Sequence, residues 1–338
     1  MRPASAIRSA RGQRATLGIA VALGLVYLIW GSTYLGIRFA DETLPPLLMG
    51  GVRFLIAGGL LYLWCRARGI ANPNWRQWKS AGLVGLCLLT GGNGMVIVVE
   101  QKVPSGIAAL LVALVPLWTV VLMWLRRSGS RPSARTLAGV GLGLVGVAVL
   151  VSRGGGAGGQ AINPMAFLLI FSTGLWAWGS LYAQRAELPA SPLMSTAVEM
   201  LVGSVALLLL AGVTGEPGQL ANHAISLKSL EALGYLIVFG SIVAYTSYTW
   251  LLKNASPALV STYAYVNPLV AVLLGWRFDN DAVTIWTLIA SAVIVCSVVL
   301  ITLPKRRTAV AAPALPADES QSSSGGGPLP ALSGPHTR

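Results

Sequence analysis

The stretch WGSTY (Trp30 to Tyr34) returns as WGSLY (Trp178 to Tyr182), and the recurrence does not stop there. Pro46, with Arg53 seven residues on, is matched by Pro192, with Glu199 seven residues on. VPLWTVVLMW (Val115 to Trp124) is matched by NPLVAVLLGW (Asn267 to Trp276). The three matches keep their order at offsets of 148, 146 and 152 residues, which is how a duplicated architecture reads in sequence.

Around these segments the chain is apolar in long runs. Of its 338 residues 54% are hydrophobic and only 10% charged, where soluble domains run near a quarter charged. A hydrocarbon core of roughly 30 Å needs about 20 residues of helix. Ten stretches of that order occur, at 17–37, 46–65, 80–99, 104–125, 135–152, 164–184, 192–213, 230–252, 256–275 and 284–303. Each is continuously apolar rather than alternating, so helices are expected and a barrel is not. Five spans per half is an odd number, so the second half enters the membrane from the opposite face. The expected fold is all-α and integral to the membrane: ten transmembrane helices as a 5+5 inverted repeat around a central cavity.

The expected organisation is a basic cytoplasmic N-terminus (1–16), a first repeat (17–152), a Gly-rich linker (153–163), a second repeat (164–304) and a disordered cytoplasmic tail (305–338). Of the 24 Lys and Arg, 18 fall in segments on the N-terminal side of this arrangement, five on the other side, and Arg53 within a span. That bias puts both termini in the cytoplasm. It also accounts for the net charge of +13 without a nucleic acid partner, since the cations sit in short loops and not on one polar face.

Several classes of chemistry find no residues to carry them. No GxxxxGK[ST] occurs, so a nucleotide-hydrolysing loop of that kind is absent and direct ATP-driven transport is not expected. The two histidines, His223 and His336, belong to no HExxH, and Cys65, Cys87 and Cys296 each stand alone. No metal and no cofactor is expected. An intramembrane enzyme using Glu199, or a channel, are the rival readings to a transporter, although no filter segment or row of charges marks an ion path.

An ionisable side chain within a span is costly, so Arg53 and Glu199 are the first functional candidates. Seven residues past its proline, each lies about 10 Å deep, Arg53 reached from outside and Glu199 from inside. That leaves about 10 Å between them along the membrane normal, which argues against a contact ion pair. Arg53 suits a substrate carboxylate, or else snorkels to the headgroups. Glu199 suits an ammonium group or a proton, or else a structural hydrogen bond. Asn93, in TGGNG, and Asn267, before Pro268, are mid-span interruptions of the kind that line cavities or join helices. Pro268 is expected to distort its helix. Tyr245 opens a polar and aromatic run in span eight, joined by Tyr263 and Tyr265 in span nine, and Trp30 and Trp178 hold equivalent repeat positions as candidate cavity walls. Gly139-xxx-Gly143 favours close packing in span five, within the chain by default and in a homodimer as the alternative.

The paired WGS-x-Y segments, PSGIAALLVALVPL (Pro104 to Leu117), SPALVSTYAYVNPLVAVLLG (Ser256 to Gly275) and the ten-span layout resemble the EamA family of the drug/metabolite transporter superfamily. The resemblance covers roughly residues 17 to 303. It implies a secondary transporter in a bacterial cytoplasmic membrane, working by alternating access. It further implies export of amino acids, related metabolites or amphiphilic drugs, with proton coupling through Glu199 as an option. The expected partners are a small-molecule substrate and the lipid bilayer.

Overall fold

The computed structural model describes residues 3–102, 111–125, 132–153, 165–220, 224–278 and 284–302. Helix is the only regular structure among them. In chain order the elements are α1 (Pro3–Ala40), α2 (Pro46–Ala67), α3 (Trp75–Gly85), a π-helical segment π1 (Leu86–Gly94), α4 (Met95–Glu100), α5 (Val115–Leu125), α6 (Ala134–Arg153) and α7 (Ala166–Ala183). Then come α8 (Pro192–Val213), α9 (Glu216–Leu220), α10 (Leu227–Tyr235), a second π segment π2 (Leu236–Tyr245), α11 (Thr246–Asn254), α12 (Pro257–Val260), α13 (Tyr263–Phe278) and α14 (Ile285–Thr302).

Among the described residues, five helical stretches are long and apolar enough to cross a membrane: Thr16–Ala40, Pro46–Ala67, Trp75–Val99, Pro192–Val213 and Leu227–Asn254. Val115–Leu125, Ala134–Val149, Phe167–Ala183 and Leu288–Ile301 are shorter apolar helices. Large apolar side chains such as Leu28, Leu63, Trp124, Phe171 and Leu209 are exposed on the outside of the bundle, as lipid rather than water would allow.

Helix boundaries follow local chemistry. Pro46 opens α2, and Pro192 opens α8 behind the Ser191 cap; a proline at the first turn gives up only an N–H that the helix leaves unpaired anyway. Both helices run 22 residues, and both are followed by a glycine with φ of 74°, Gly69 and Gly215. That left-handed backbone is one that only glycine adopts at little cost, and it turns the chain out of the helix. Asn74 and Gln77 form a reciprocal capping box at the start of α3, and Ser226 and Ser256 cap α10 and α12.

α2 packs along α8 and α6 along α14, the two most extensive helix contacts. α1 lies against α13 and against α10, π2 and α11, while α7 lies against α5 and against α3, π1 and α4. α8 rests on α3 and π1; α2 rests on π2. At one end of the bundle the buried carboxylate of Glu216 accepts hydrogen bonds from the backbone N–H of Leu47 (3.2 Å) and Leu48 (2.8 Å). It thereby fills the positive N-terminus of α2 from the turn that follows α8.

Pro268 lies inside α13, which runs through it, and a separate interruption comes earlier, at Ser261 and Thr262 between α12 and α13. There the hydroxyls of Ser261 and Thr262 donate back to the carbonyls of Ala258 and Leu259. The Gly139-xxx-Gly143 stripe is covered by the chain itself, Gly139 meeting Ile301 and Gly143 meeting Ser297 and Tyr265. Residues 154–163 of the expected linker, 104–110 of the PSGIAALLVALVPL segment and the whole of the expected tail (305–338) lie outside the described residues.

Candidate functional site

A cavity of about 90 Å³ lies where α1, α2, π1, α7 and α13 converge. It extends from the level of Trp30 and Trp176 towards the end of α1 at Ile37 and of α4 at Val96. Of the residues singled out in sequence, Trp30, Arg53, Asn93, Tyr263 and Asn267 line it.

Arg53 is 3% exposed, and its Nε donates to the Ser241 Oγ of π2 at 2.7 Å. Its guanidinium fits against Gly240, where a Cβ would stand 2.7 Å from Nη2. The remaining nitrogen, Nη1, is buried without a hydrogen-bond partner, and among the described residues no carboxylate lies within ion-pairing distance of the group. Phe54 sits 5.0 Å from its Cζ. The Oδ1 atoms of Asn93 and Asn267 are likewise buried without partners, in the same cavity. Buried polar atoms are paired as a rule, and each unpaired one carries a desolvation cost. Arg53, Asn93 and Asn267 thus bring one cationic donor group and two amide acceptors, all short of partners, to the lining of one space.

The π segments place these groups. In π1 the looser i→i+5 ladder sets Asn93 towards the cavity, and the Gly92 carbonyl accepts from Ser172 Oγ of α7 at 2.8 Å. In π2 the Gly240 carbonyl accepts from Trp30 Nε1 at 3.1 Å. Trp176 lies over Gly92 and joins Trp30, Tyr248 and Tyr263 in an aromatic floor with ring centroids 5.0 to 6.5 Å apart. Such rings offer both apolar surface and the negative faces that attract cations.

The other candidates lie elsewhere. Glu199 is 1% exposed and sits beyond the floor, in a space of about 10 Å³ that it shares with Lys253. Ser195 Oγ donates to its Oε1 at 2.8 Å and Tyr245 OH to its Oε2 at 2.9 Å. Arg53 and Glu199 therefore each have their own partners and do not meet. Tyr245 does not line the cavity but packs beneath Trp30 at 6.5 Å. Tyr265 is fully buried between α13 and α6, its hydroxyl donating to the Val140 carbonyl at 3.2 Å. Trp178 is 38% exposed and stacks on Tyr182 instead of walling the cavity. Trp176, which the repeat comparison passed over, holds the wall. The signal that finds it is its i,i+4 relation to Ser172, which puts both on the face turned to Gly92.

Among the described residues no group of three His, Cys, Asp or Glu side chains is arranged to hold a metal ion. Comparison with known proteins agrees with a transporter and not an enzyme. The inner membrane transporter YedA of Escherichia coli (strain K12) is 44% identical over 286 residues, covering 84% of this chain and 90% of its own. The S-adenosylmethionine/S-adenosylhomocysteine transporter of Chlamydia trachomatis (serovar L2) is 25% identical over 280 residues, covering 78% and 83%. A solved crystal structure shares the fold with a TM-score of 0.70 at 21% identity, over 84% of this chain and 96% of its own. The model of the EamA-like transporter family matches twice, over residues 16–152 and 163–303, and the chain belongs to that family.

Proposed function

We propose that the chain is a ten-span secondary transporter of the cytoplasmic membrane, with five spans per inverted half, that exports small anionic or zwitterionic metabolites by alternating access around the cavity. Amino acids and compounds built on them are the favoured class, with amphiphilic drugs bearing an acidic group as the wider set. The single observation that carries the reading is that Arg53, whose buried Nη1 has no partner, lines the same cavity as Asn93 and Asn267, whose buried Oδ1 atoms have none either. A solute carboxylate pairs with the first, a solute ammonium with the others, and its apolar part rests on Trp30, Trp176 and Tyr263.

The inverted duplication draws support from three sides. The family matches fall one per half. α2 and α8 share a proline start, a length of 22 residues and a left-handed glycine beyond the end. The helix contacts also map onto themselves when the halves are exchanged: α1 on α13 with α7 on α5, α1 on π2 with α7 on π1, and α2 on π2 with α8 on π1. A proton as coupling ion, carried by Glu199, fits its place on the far side of the floor.

The test is flux in proteoliposomes loaded with labelled amino acids and related metabolites, with and without a proton gradient. Saturable efflux of one class, with Arg53→Gln raising KM at least tenfold, is the expected result. Saturable efflux that Arg53→Gln leaves untouched would remove the cavity from the transport path.

A further inference from the structure

The cavity ends on rings that are themselves tied to the buried carboxylate beyond them. Trp30 rests on Tyr245 and Tyr248 with centroids 6.5 and 5.0 Å away. Tyr248 is fixed by Trp176 Nε1 (2.8 Å) and Ser180 Oγ (2.6 Å). Among the described residues the Tyr245 hydroxyl has one hydrogen-bond partner, Glu199 Oε2, at 2.9 Å. Both oxygens of Glu199 thus accept hydroxyl protons, one from α8 and one from π2, and the ring under Trp30 is anchored from the side opposite the cavity. On the cavity side, Ser241 of the same π segment accepts from Arg53, four residues before Tyr245. One stretch of π helix therefore grips both intramembrane charges, the first through Ser241 and the second through Tyr245.

We propose that the Tyr245 to Glu199 hydrogen bond is a latch that keeps the cavity floor shut, and that π2 connects this latch to Arg53. The inference rests on the transport reading of the cavity. A π-helical segment is held by poorer backbone geometry than the α helices flanking it, so it is a natural place for a register change. A solute that draws Arg53 away from Ser241 loosens π2 at one end. The bond from Tyr245 is what its other end must give up for Trp30, Tyr245 and Tyr248 to part. An interaction of this kind, between a hydroxyl and a buried carboxylate, is strong enough to hold a closed state and local enough to be released.

Cys87 is the native reporter. It is buried in π1, in the same packed cluster as Trp176 and Tyr245, and its Cβ lies against Gly179 beside Ser180. With Cys65 and Cys296 replaced by alanine, a membrane-impermeant maleimide applied from the face bearing Asn74 and Glu187 reads the opening of the floor at Cys87. Glu199→Gln and Tyr245→Phe are each expected to raise the labelling rate about tenfold, the factor that corresponds to one lost charge-assisted hydrogen bond. Ser241→Ala, which cuts the tie to Arg53, raises it as well. Thr249→Val, in the same small pocket but not bonded to the carboxylate, leaves it at the parent rate. Labelling at the parent rate in both Glu199→Gln and Tyr245→Phe, in protein that elutes as the folded parent does, overturns the latch. A parent rate in Ser241→Ala overturns its connection to Arg53. Labelling needs no transported solute, so a tenfold rise without saturable flux would uphold the latch and count against the transport reading alone.

Discussion

Replacing Gly85 by alanine puts a methyl group where the fold has no room. The added Cβ would stand 2.1 Å from the carbonyl oxygen of Glu199 and 2.8 Å from its carbonyl carbon. Both atoms are backbone of α8, so no side chain can rotate out of the way. An ordinary contact requires α3 and α8 to separate there by roughly 1 Å. The bond to Glu199 from Ser195 lies within α8 and moves with it, but the bond from Tyr245 of π2 is 2.9 Å long, and a displacement of that size takes it out of hydrogen-bonding range. Overpacking of this kind costs about 1–3 kcal/mol. The gain in helix propensity from glycine to alanine, up to about 1 kcal/mol, offsets part of it. Gly59→Ala separates the two effects, because a Cβ there meets nothing within 4 Å. Thermal unfolding of the detergent-solubilised protein should therefore show Gly59→Ala at or above the parent and Gly85→Ala clearly below it. Equal midpoints for the two variants would refute the claim that α8 is seated on Gly85 and that Glu199 depends on that seat.

Three further outcomes follow from the same geometry. Asp41, in the turn after α1, has its carboxyl raised to about 7, first by burial and then by the charge of Glu216, against about 3.9 in an unfolded chain. The unfolded chain therefore binds fewer protons between those values. The stability linked to Asp41 is fully present below about pH 4 and is lost as pH rises through about 7. Asp41→Asn should come closest to the parent melting temperature at pH 4 and exceed it by a growing margin up to pH 8, and a variant that melts below the parent at pH 8 would contradict the assignment. Gly240→Ala sets a Cβ 2.7 Å from Arg53 Nη2 and 3.0 Å from Thr33 Cγ2, so it should dislodge the guanidinium and raise KM about tenfold with kcat little changed, as read from flux. Tyr265→Phe removes only the bond to the Val140 carbonyl, so it should lower stability by about 1 kcal/mol in thermal unfolding and leave flux unaltered.

What could be read from sequence was what costs energy in lipid. Arg53 and Glu199 announced themselves as ionisable groups inside apolar runs, and the structure places both in buried sites with hydroxyl partners. Asn93 and Asn267 were marked by their glycine and proline neighbours, and both face the cavity. The facing of a helix in a bilayer was much harder to read, because lipid-facing and core-facing residues are apolar alike. Trp176 and Trp178 lie two positions apart, about 200° around the helix. The repeat comparison pointed to Trp178, while packing on Gly92 chose Trp176. Nor does any residue type announce a π segment: Leu86–Gly94 and Leu236–Tyr245 differ in composition, and only the backbone ladder sets them apart. Ser241 escaped notice for a related reason, since a single serine in an apolar span more often satisfies a carbonyl of its own helix than it holds an arginine.

The duplicated frame carries chemistry that is not duplicated, and this asymmetry is where the function resides. Arg53 and Glu199 occupy the same register of two helices that are alike in start, length and end, and that pack on each other. Had they met, a buried ion pair would have neutralised both and left nothing for a solute. Each instead takes hydroxyl partners: Ser241 for the arginine, Ser195 and Tyr245 for the carboxylate. Those partners leave the Nη1 of Arg53 without an acceptor, in a residue that lines the cavity, and give each oxygen of Glu199 a donor, beyond the aromatic floor. An unsatisfied cation is a poor structural element and a good receptor, whereas a satisfied carboxylate is a poor receptor and a good anchor. On the proposed reading the two charges divide the work between binding and closure. Because Ser241 and Tyr245 share one π-helical segment, neither charge can change partners without disturbing the backbone that holds the other.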